Sequence, residues 1–180
     1  MTVLPPFPAA PGTAPDTPAP LLERGFFLRH ATAADLLRLA DVYADTRADE
    51  MAMVPWPAMA KRSFLDSQFE LQHRHYLAHY ADSDFLVIEH HGVVQGRYYL
   101  LRTPPDHLVV DISLMAALRG QGVGAALLRQ SQADAAAAGR GLRLSVAQTN
   151  PRALALYERL GFVLTESGDT HHRMRWTSPG

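Results

Sequence analysis

Seven residues, Arg119-Gly120-Gln121-Gly122-Val123-Gly124-Ala125, constrain this chain more than any other stretch. Glycines alternate with side chains there, between a run that reads as a strand and a run that reads as a helix. Glycine removes the Cβ where backbone must approach a ligand closely. The amides that open a helix have no intrahelical partners, and the helix dipole adds about half a positive charge at that end. Strand, glycine turn and helix N-terminus in this order make an anion site suited to a phosphate or pyrophosphate. An ordinary glycine-rich turn fits the same residues. A Walker A loop requires a Gly-Lys-Ser/Thr ending, which is missing. A dinucleotide fingerprint requires a small residue three positions after Gly124, where Leu127 stands, and it should open the fold, whereas this loop comes late.

The rest of the chain alternates strands and helices. Residues 26–31 read as a first strand. Thr32 and Asp35 have the spacing of a capping box, and Leu36, Leu39, Ala40 and Tyr43 then recur at helical spacing. Two prolines in Val54-Pro55-Trp56-Pro57 mark a loop. A second helix is predicted over 63–80, with Leu65, Phe69, Tyr76 and Tyr80 on one stripe. Strands follow over 85–88, 93–102 and 108–114, the first two joined by a His91-Gly92 turn. After the glycine loop a helix runs to about residue 138, closed by Gly139. A strand over 142–146 leads to Asn150 as helix cap, Pro151 at the first helical position and Gly161 just past the end. Two last strands sit near 162–164 and 173–176. This order implies an α/β chain built on one sheet.

Seven of the 13 prolines fall before residue 21. Residues 1–20 therefore read as a proline- and alanine-rich tail with polyproline character and little to bury, ahead of one domain over 21–180. The segment does not resemble a signal peptide, because it lacks a basic start and its prolines break any apolar run. No stretch of about 18 apolar residues suggests a membrane span. Net charge is −1, so no global basic field draws in nucleic acid or an anionic membrane. There is no cysteine, which excludes disulfides, thiolate metal sites and any acyl-cysteine intermediate. His75 and His79 stand at i, i+4, but the Glu of a His-Glu-x-x-His site is absent, and no metal is expected.

Arg119-x-x-Gly122-x-Gly124 resembles motif A of the GNAT superfamily of acetyl-CoA-dependent N-acyltransferases. Asn150-Pro151-Arg152-Ala153-Leu154-Ala155-Leu156-Tyr157-Glu158-Arg159-Leu160-Gly161-Phe162 resembles its motif B, Asn-x-x-Ala-x-x-Leu-Tyr-x-x-x-Gly-Phe. The two lie at the right separation and in the right strand–helix order. The resemblance implies a central mixed, mostly antiparallel sheet of about six to seven strands with about four flanking helices, splayed at its parallel pair. The splayed strands would be the one ending at Leu114 and the one over 142–146.

The same resemblance implies the site. Backbone at Leu114, with Ile112 and Ser113 nearby, would hold the pantetheine arm of acetyl-CoA. The pyrophosphate would lie on the amides of Gly120, Gln121, Gly122, Val123, Gly124 and Ala125, with Arg119 anchoring the loop. Asn150 and Ala153 would face the pantetheine, and Tyr157 would place its hydroxyl near the thioester sulfur as general acid; a tyrosine packed on its own helix is the alternative. Many members carry a glutamate base at a position that falls near Leu108, which cannot act. Asp111 is the first choice of the ionisable neighbours, an ion-paired strand residue being the alternative, and His107 is the other neighbour. An amine acceptor would meet Glu50, Trp56 and Tyr98 or its neighbour Tyr99, by charge and cation–π contact, a solvated helix end beside a packing tryptophan being the alternative. The expected activity is cytoplasmic acetyl transfer to a primary amine without an acyl-enzyme, with no nucleic-acid partner. A non-catalytic acyl-CoA sensor would share the cofactor site, and self-association into a homodimer is left open.

Overall fold

A computed structural model describes residues 4–178. The elements in chain order are α1 (Ala19–Leu22), β1 (Phe26–His30), a 3-10 turn (Ala33–Asp35), α2 (Leu36–Thr46), α3 (Ala48–Ala52), α4 (Ala58–His79), β2 (Asp84–His90), β3 (Val93–Leu101), β4 (His107–Leu114), a 3-10 turn (Ala116–Leu118), α5 (Val123–Ala137), β5 (Leu142–Ala147), α6 (Pro151–Arg159), β6 (Val163–Ser167) and β7 (His171–Trp176). The seven strands form one sheet in the order β1-β2-β3-β4-β5-β7-β6. Every neighbouring pair is antiparallel except β4 and β5.

Side-chain alternation along the strands makes two cores. Leu86, Ile88, Tyr98, Leu100, Val109, Leu144 and Val146 face α5 and α6, where they meet Leu127, Leu128 and Tyr157. Phe85, Val87 and Tyr99 face α2 and α4, where they meet Leu39, Tyr43, Leu65 and Phe69. Phe85-Leu86-Val87-Ile88 is therefore buried on both faces and reads as an unbroken apolar run. Each fully buried Leu, Ile or Phe contributes about 2 kcal/mol. α5 turns Val123, Leu127, Leu128, Ser131 and Ala135 inward, and α4 turns Leu65, Phe69 and His73 inward.

The helices differ from the sequence reading at three places, and the first is α1, which takes residues 19 and 20 of the expected tail into a helical turn, with Pro20 in the first turn where its missing N–H costs nothing. α4 starts five residues earlier than expected, directly after Pro57, because Ala58 to Arg62 are all good helix formers. α3 is an additional short helix, with Asp49 and Glu50 in its first turn where carboxylates suit the dipole. The expected capping contact at Thr32 is present: the Asp35 carboxylate accepts from the Thr32 amide at 2.7 Å and from its hydroxyl at 3.0 Å.

The proline-rich segment, whose residues 1–3 lie outside the described residues, lies along the domain. Its expected lack of anything to bury overlooks Phe7, whose ring sits 4.9 Å from His73 and 5.4 Å from Phe85. The buried His73 donates from Nε2 to the Pro5 carbonyl at 2.8 Å, and burial lowers its pKa. Thr17 Oγ1 accepts from the Leu28 amide, and the Thr13 carbonyl accepts from Arg102. Polyproline backbone leaves its carbonyls free, so such a segment can dock through them. Among the described residues no helix is long and apolar enough to cross a membrane.

Candidate active site

The parallel strands part where the site begins. β4 pairs with β5 only at His107–Leu142, Leu108–Arg143 and Val109–Leu144. β4 then continues to Leu114 and β5 to Ala147 without pairing to each other. On its other side β4 stays paired to β3 as far as Leu114. The Met115 amide donates to the Gln95 carbonyl at 2.8 Å. Antiparallel alternation from that bond turns the amides and carbonyls of Ile112 and Leu114 away from β3, into the opening. Gly96 permits this close packing: a Cβ there would stand 2.5 Å from the Ser113 carbonyl and 2.9 Å from a Leu114 methyl.

At one end of the opening lies the glycine loop. Gly120 and Gly122 have φ of 75° and 80°, the left-handed region that glycine adopts without strain. Gly122 caps α5, and the first intrahelical bond is made by the Ala126 amide to the Gly122 carbonyl at 3.0 Å. The amides of Val123, Gly124 and Ala125 are thereby left for a ligand. A Cβ on Gly122 would meet nothing within 4 Å, while one on Gly124 would stand 3.7 Å from Ile112 Cδ1. This cradle of open glycine surface and free amides fits an extended phosphate ester such as coenzyme A.

Cations gather around the loop. Arg119 donates from Nε to the Leu114 carbonyl at 2.8 Å and from Nη2 to Asp45 at 2.7 Å. Arg152 Nη2 lies 2.6 Å from where a Cβ would stand on Gly120. Arg24 donates to the Gln121 carbonyl at 3.1 Å. Sequence reasoning named Arg119 and missed Asp45, Arg152 and Arg24. Arg152 lies inside motif B and was within reach of it. Arg24 and Asp45 stand 97 and 74 residues from their partners, with no local signal.

Tyr157 projects from α6 beside Phe162, with ring centroids 5.9 Å apart. It is buried, and burial followed by the negative charge of Asp111 pushes its phenol up to about 12. Asn150 caps α6, its Oδ1 accepting from the Ala153 amide at 3.0 Å. Asp111 is heavily engaged. Its carboxylate pairs with Arg97 at 2.6 Å and accepts from the Tyr76 hydroxyl and the Ser113 hydroxyl, both at 2.8 Å. Arg97 is buried among the rings of Tyr43, Tyr76 and Tyr99, at 5.9, 5.8 and 5.5 Å. His107 is buried at the far end of β4, where burial and nearby arginines lower its pKa.

The three acceptor-side residues are not brought together. Glu50 is exposed and pairs with Arg47 at 2.8 Å. It borders a hollow of about 200 Å³ with Tyr43, Met51, Phe64, Leu65 and Gln68. Trp56 stands half-exposed against Phe64, with centroids 5.5 Å apart. Tyr98 points the other way, into the core under α5, where its hydroxyl meets Ser131 at 2.6 Å. Tyr99 is the neighbour that faces α2 and α4, as strand alternation requires. A larger hollow of about 300 Å³, lined by Arg140 and Arg175, lies at the opposite end of β5, away from this chemistry.

Solved structures share this fold. The fold resembles the PaiA N-acetyltransferase of Thermoplasma acidophilum in complex with coenzyme A, at a TM-score of 0.66 and 16% identity, covering 85% of this chain and 99% of that one. It resembles a histone acetyltransferase HPA2 and related acetyltransferase of Corynebacterium glutamicum at a TM-score of 0.59 and 25% identity, covering 86% and 98%. It also resembles a GCN5-related N-acetyltransferase of Rhodopseudomonas palustris at 0.59 and 17% identity, covering 93% and 99%. No curated protein matches the chain. The family model of the acetyltransferase (GNAT) family matches residues 44–162, a span that holds the parted strands, the glycine loop and Tyr157. By that match and by its fold, the chain belongs to the GNAT acetyltransferase family.

Proposed function

We propose that this protein transfers an acetyl group from acetyl-CoA to a primary amine of a small molecule, peptide or protein, by direct transfer in a ternary complex. The observation that carries the reading is the parting of β4 and β5 beyond Val109 and Leu144, with the free amides of α5 at one end and Tyr157 beside it. Acetyl-CoA supplies an activated thioester. The chain's own groups supply the rest. The amides of Val123 to Ala125 bind the pyrophosphate, and the backbone of Ile112 and Leu114 aligns the pantetheine arm. The Leu114 amide donates to the carbonyl oxygen as negative charge develops there. Tyr157 gives its proton to the departing sulfur, and its raised pKa keeps that proton in place at neutral pH. The attacking amine binds as the neutral base, and the proton it loses after attack passes to the Tyr157 phenolate, directly or through water, which restores the acid. Asp111 orients the polar network beside the opening through Arg97, Tyr76 and Ser113. Glu50 and Trp56 border the acceptor side. The absence of cysteine removes an acyl-cysteine intermediate, which leaves direct transfer as the simplest route.

A second reading is a non-catalytic acyl-CoA sensor. It is favoured by one observation: the Asp111 carboxylate is already committed to three donors. Thiol release from acetyl-CoA over a panel of amines, with products identified by mass spectrometry, separates the two. Acetylated product from one amine class supports the transferase. Coenzyme A binding without turnover on every class supports the sensor.

A further inference from the structure

Asp45 lies in the last turn of α2, on the acceptor side of the sheet. One of its oxygens, Oδ2, accepts from the Ala116 amide and from Arg119 Nη2, each at 2.7 Å. Arg119 in turn donates from Nε to the Leu114 carbonyl at 2.8 Å. A single carboxylate oxygen therefore joins the end of β4, the 3-10 turn after it and the first residue of the glycine loop. Arg119 spends its guanidinium on protein partners and acts as a brace within the loop.

The charge of Asp45 makes this placement informative. A carboxylate beside a loop that takes a polyanion repels that anion. Simple electrostatics says that removing the charge should tighten cofactor binding. The hydrogen bonds say the opposite, because they hold the Leu114 backbone and the glycine turn in their relative positions. We propose that Asp45 is a positioning residue for the cofactor loop, and that its contribution through Arg119 and Ala116 outweighs its repulsion of the phosphates. This inference rests on the reading that the loop binds acetyl-CoA.

The test is calorimetric titration of acetyl-CoA into the full chain, its Asp45→Asn, Asp45→Ala and Arg119→Ala variants, and the Asp45→Ala/Arg119→Ala double variant. Asp45→Ala should weaken binding about tenfold or more, the size of losing charge-assisted bonds. Asp45→Asn keeps an acceptor oxygen and should recover part of that loss. A role in stability alone would not produce the recovery, and the thermal midpoint of the free Asp45→Asn variant should stay within a few degrees of the parent. In the double variant the Asp45 effect should shrink, since Arg119 carries much of it. Equal or tighter binding by Asp45→Ala, or full additivity with Arg119→Ala, would overturn the proposal. If the parent chain itself bound no acetyl-CoA, the cofactor reading would fall first and this inference with it.

Discussion

Tyr157 keeps its proton because two causes act in one direction. Burial disfavours the phenolate, and the charge of Asp111 disfavours it further. A donor held at about 12 stays protonated throughout the neutral range, as the proposed general-acid role requires. Tyr157→Phe removes the hydroxyl and keeps the ring against Phe162. Its kcat should fall roughly 100-fold while acetyl-CoA affinity changes little, measured by steady-state rates and calorimetry once an acceptor is known. Asp35 shows the reverse shift. Two bonds from Arg29, each at 2.8 Å, are the largest cause of its carboxyl lying at about 2. A depressed carboxyl stabilises the fold above its unfolded pKa near 4, and that contribution is lost as pH falls toward 2. Thermal midpoints recorded from pH 5 to pH 2 should therefore drop less steeply in Asp35→Asn than in the parent, and the variant should already be less stable at pH 7.

The glycine loop works as an element because its three glycines divide two duties. Gly120 and Gly122 supply left-handed turns, and Gly124 lies in the helix where any small residue would fit. Gly124→Ala should leave folding and acetyl-CoA binding nearly unchanged, since its Cβ would make ordinary contact with Ile112 at 3.7 Å. Gly124→Glu places length and negative charge among the free amides. Its affinity for acetyl-CoA should fall by at least about tenfold, read by calorimetry with circular dichroism to confirm the fold. The loop and α6 were legible in the sequence because capping, helix start and helix stop are local events. Asn150, Pro151 and Gly161 each act within a turn of their own position. The start of α4 was misplaced because Trp56-Pro57 reads as loop, while the good helix formers after Pro57 carry no hydrophobic stripe before Leu65.

At the scale of the whole molecule, the proline-rich segment is part of the packing on the α2–α4 face. Phe7 closes a cluster with His73, Phe85 and Tyr99. Phe7→Ala should cost about 2 kcal/mol, the worth of burying such a side chain, seen as a lower denaturation midpoint at unchanged slope. The Arg97–Asp111 pair lies on the same face of the sheet, within a shell of tyrosines that continues to the hollow beside Glu50. The hollow beside Glu50 and the end of β4 that carries Asp111 are thus connected through side chains of four elements, α2, α4, β3 and β4. None of those contacts is visible in a linear reading.

By itself the sequence determined the number and order of the strands, the strand–glycine–helix connection and the capped helix that carries Tyr157. These depend on φ preferences, missing Cβ atoms and unpaired terminal amides, which act over a few residues. Only the tertiary structure decided which polar groups stand together. Asp45 meets Arg119, Arg24 meets Gln121, and Asp111 meets Arg97 across strands. It also decided that Tyr98 faces the core under α5 and Tyr99 the opposite side, because the register of β3 assigns each face. Long-range pairing and strand register come from packing the whole sheet between two layers of helices, and no short window of residues contains that information.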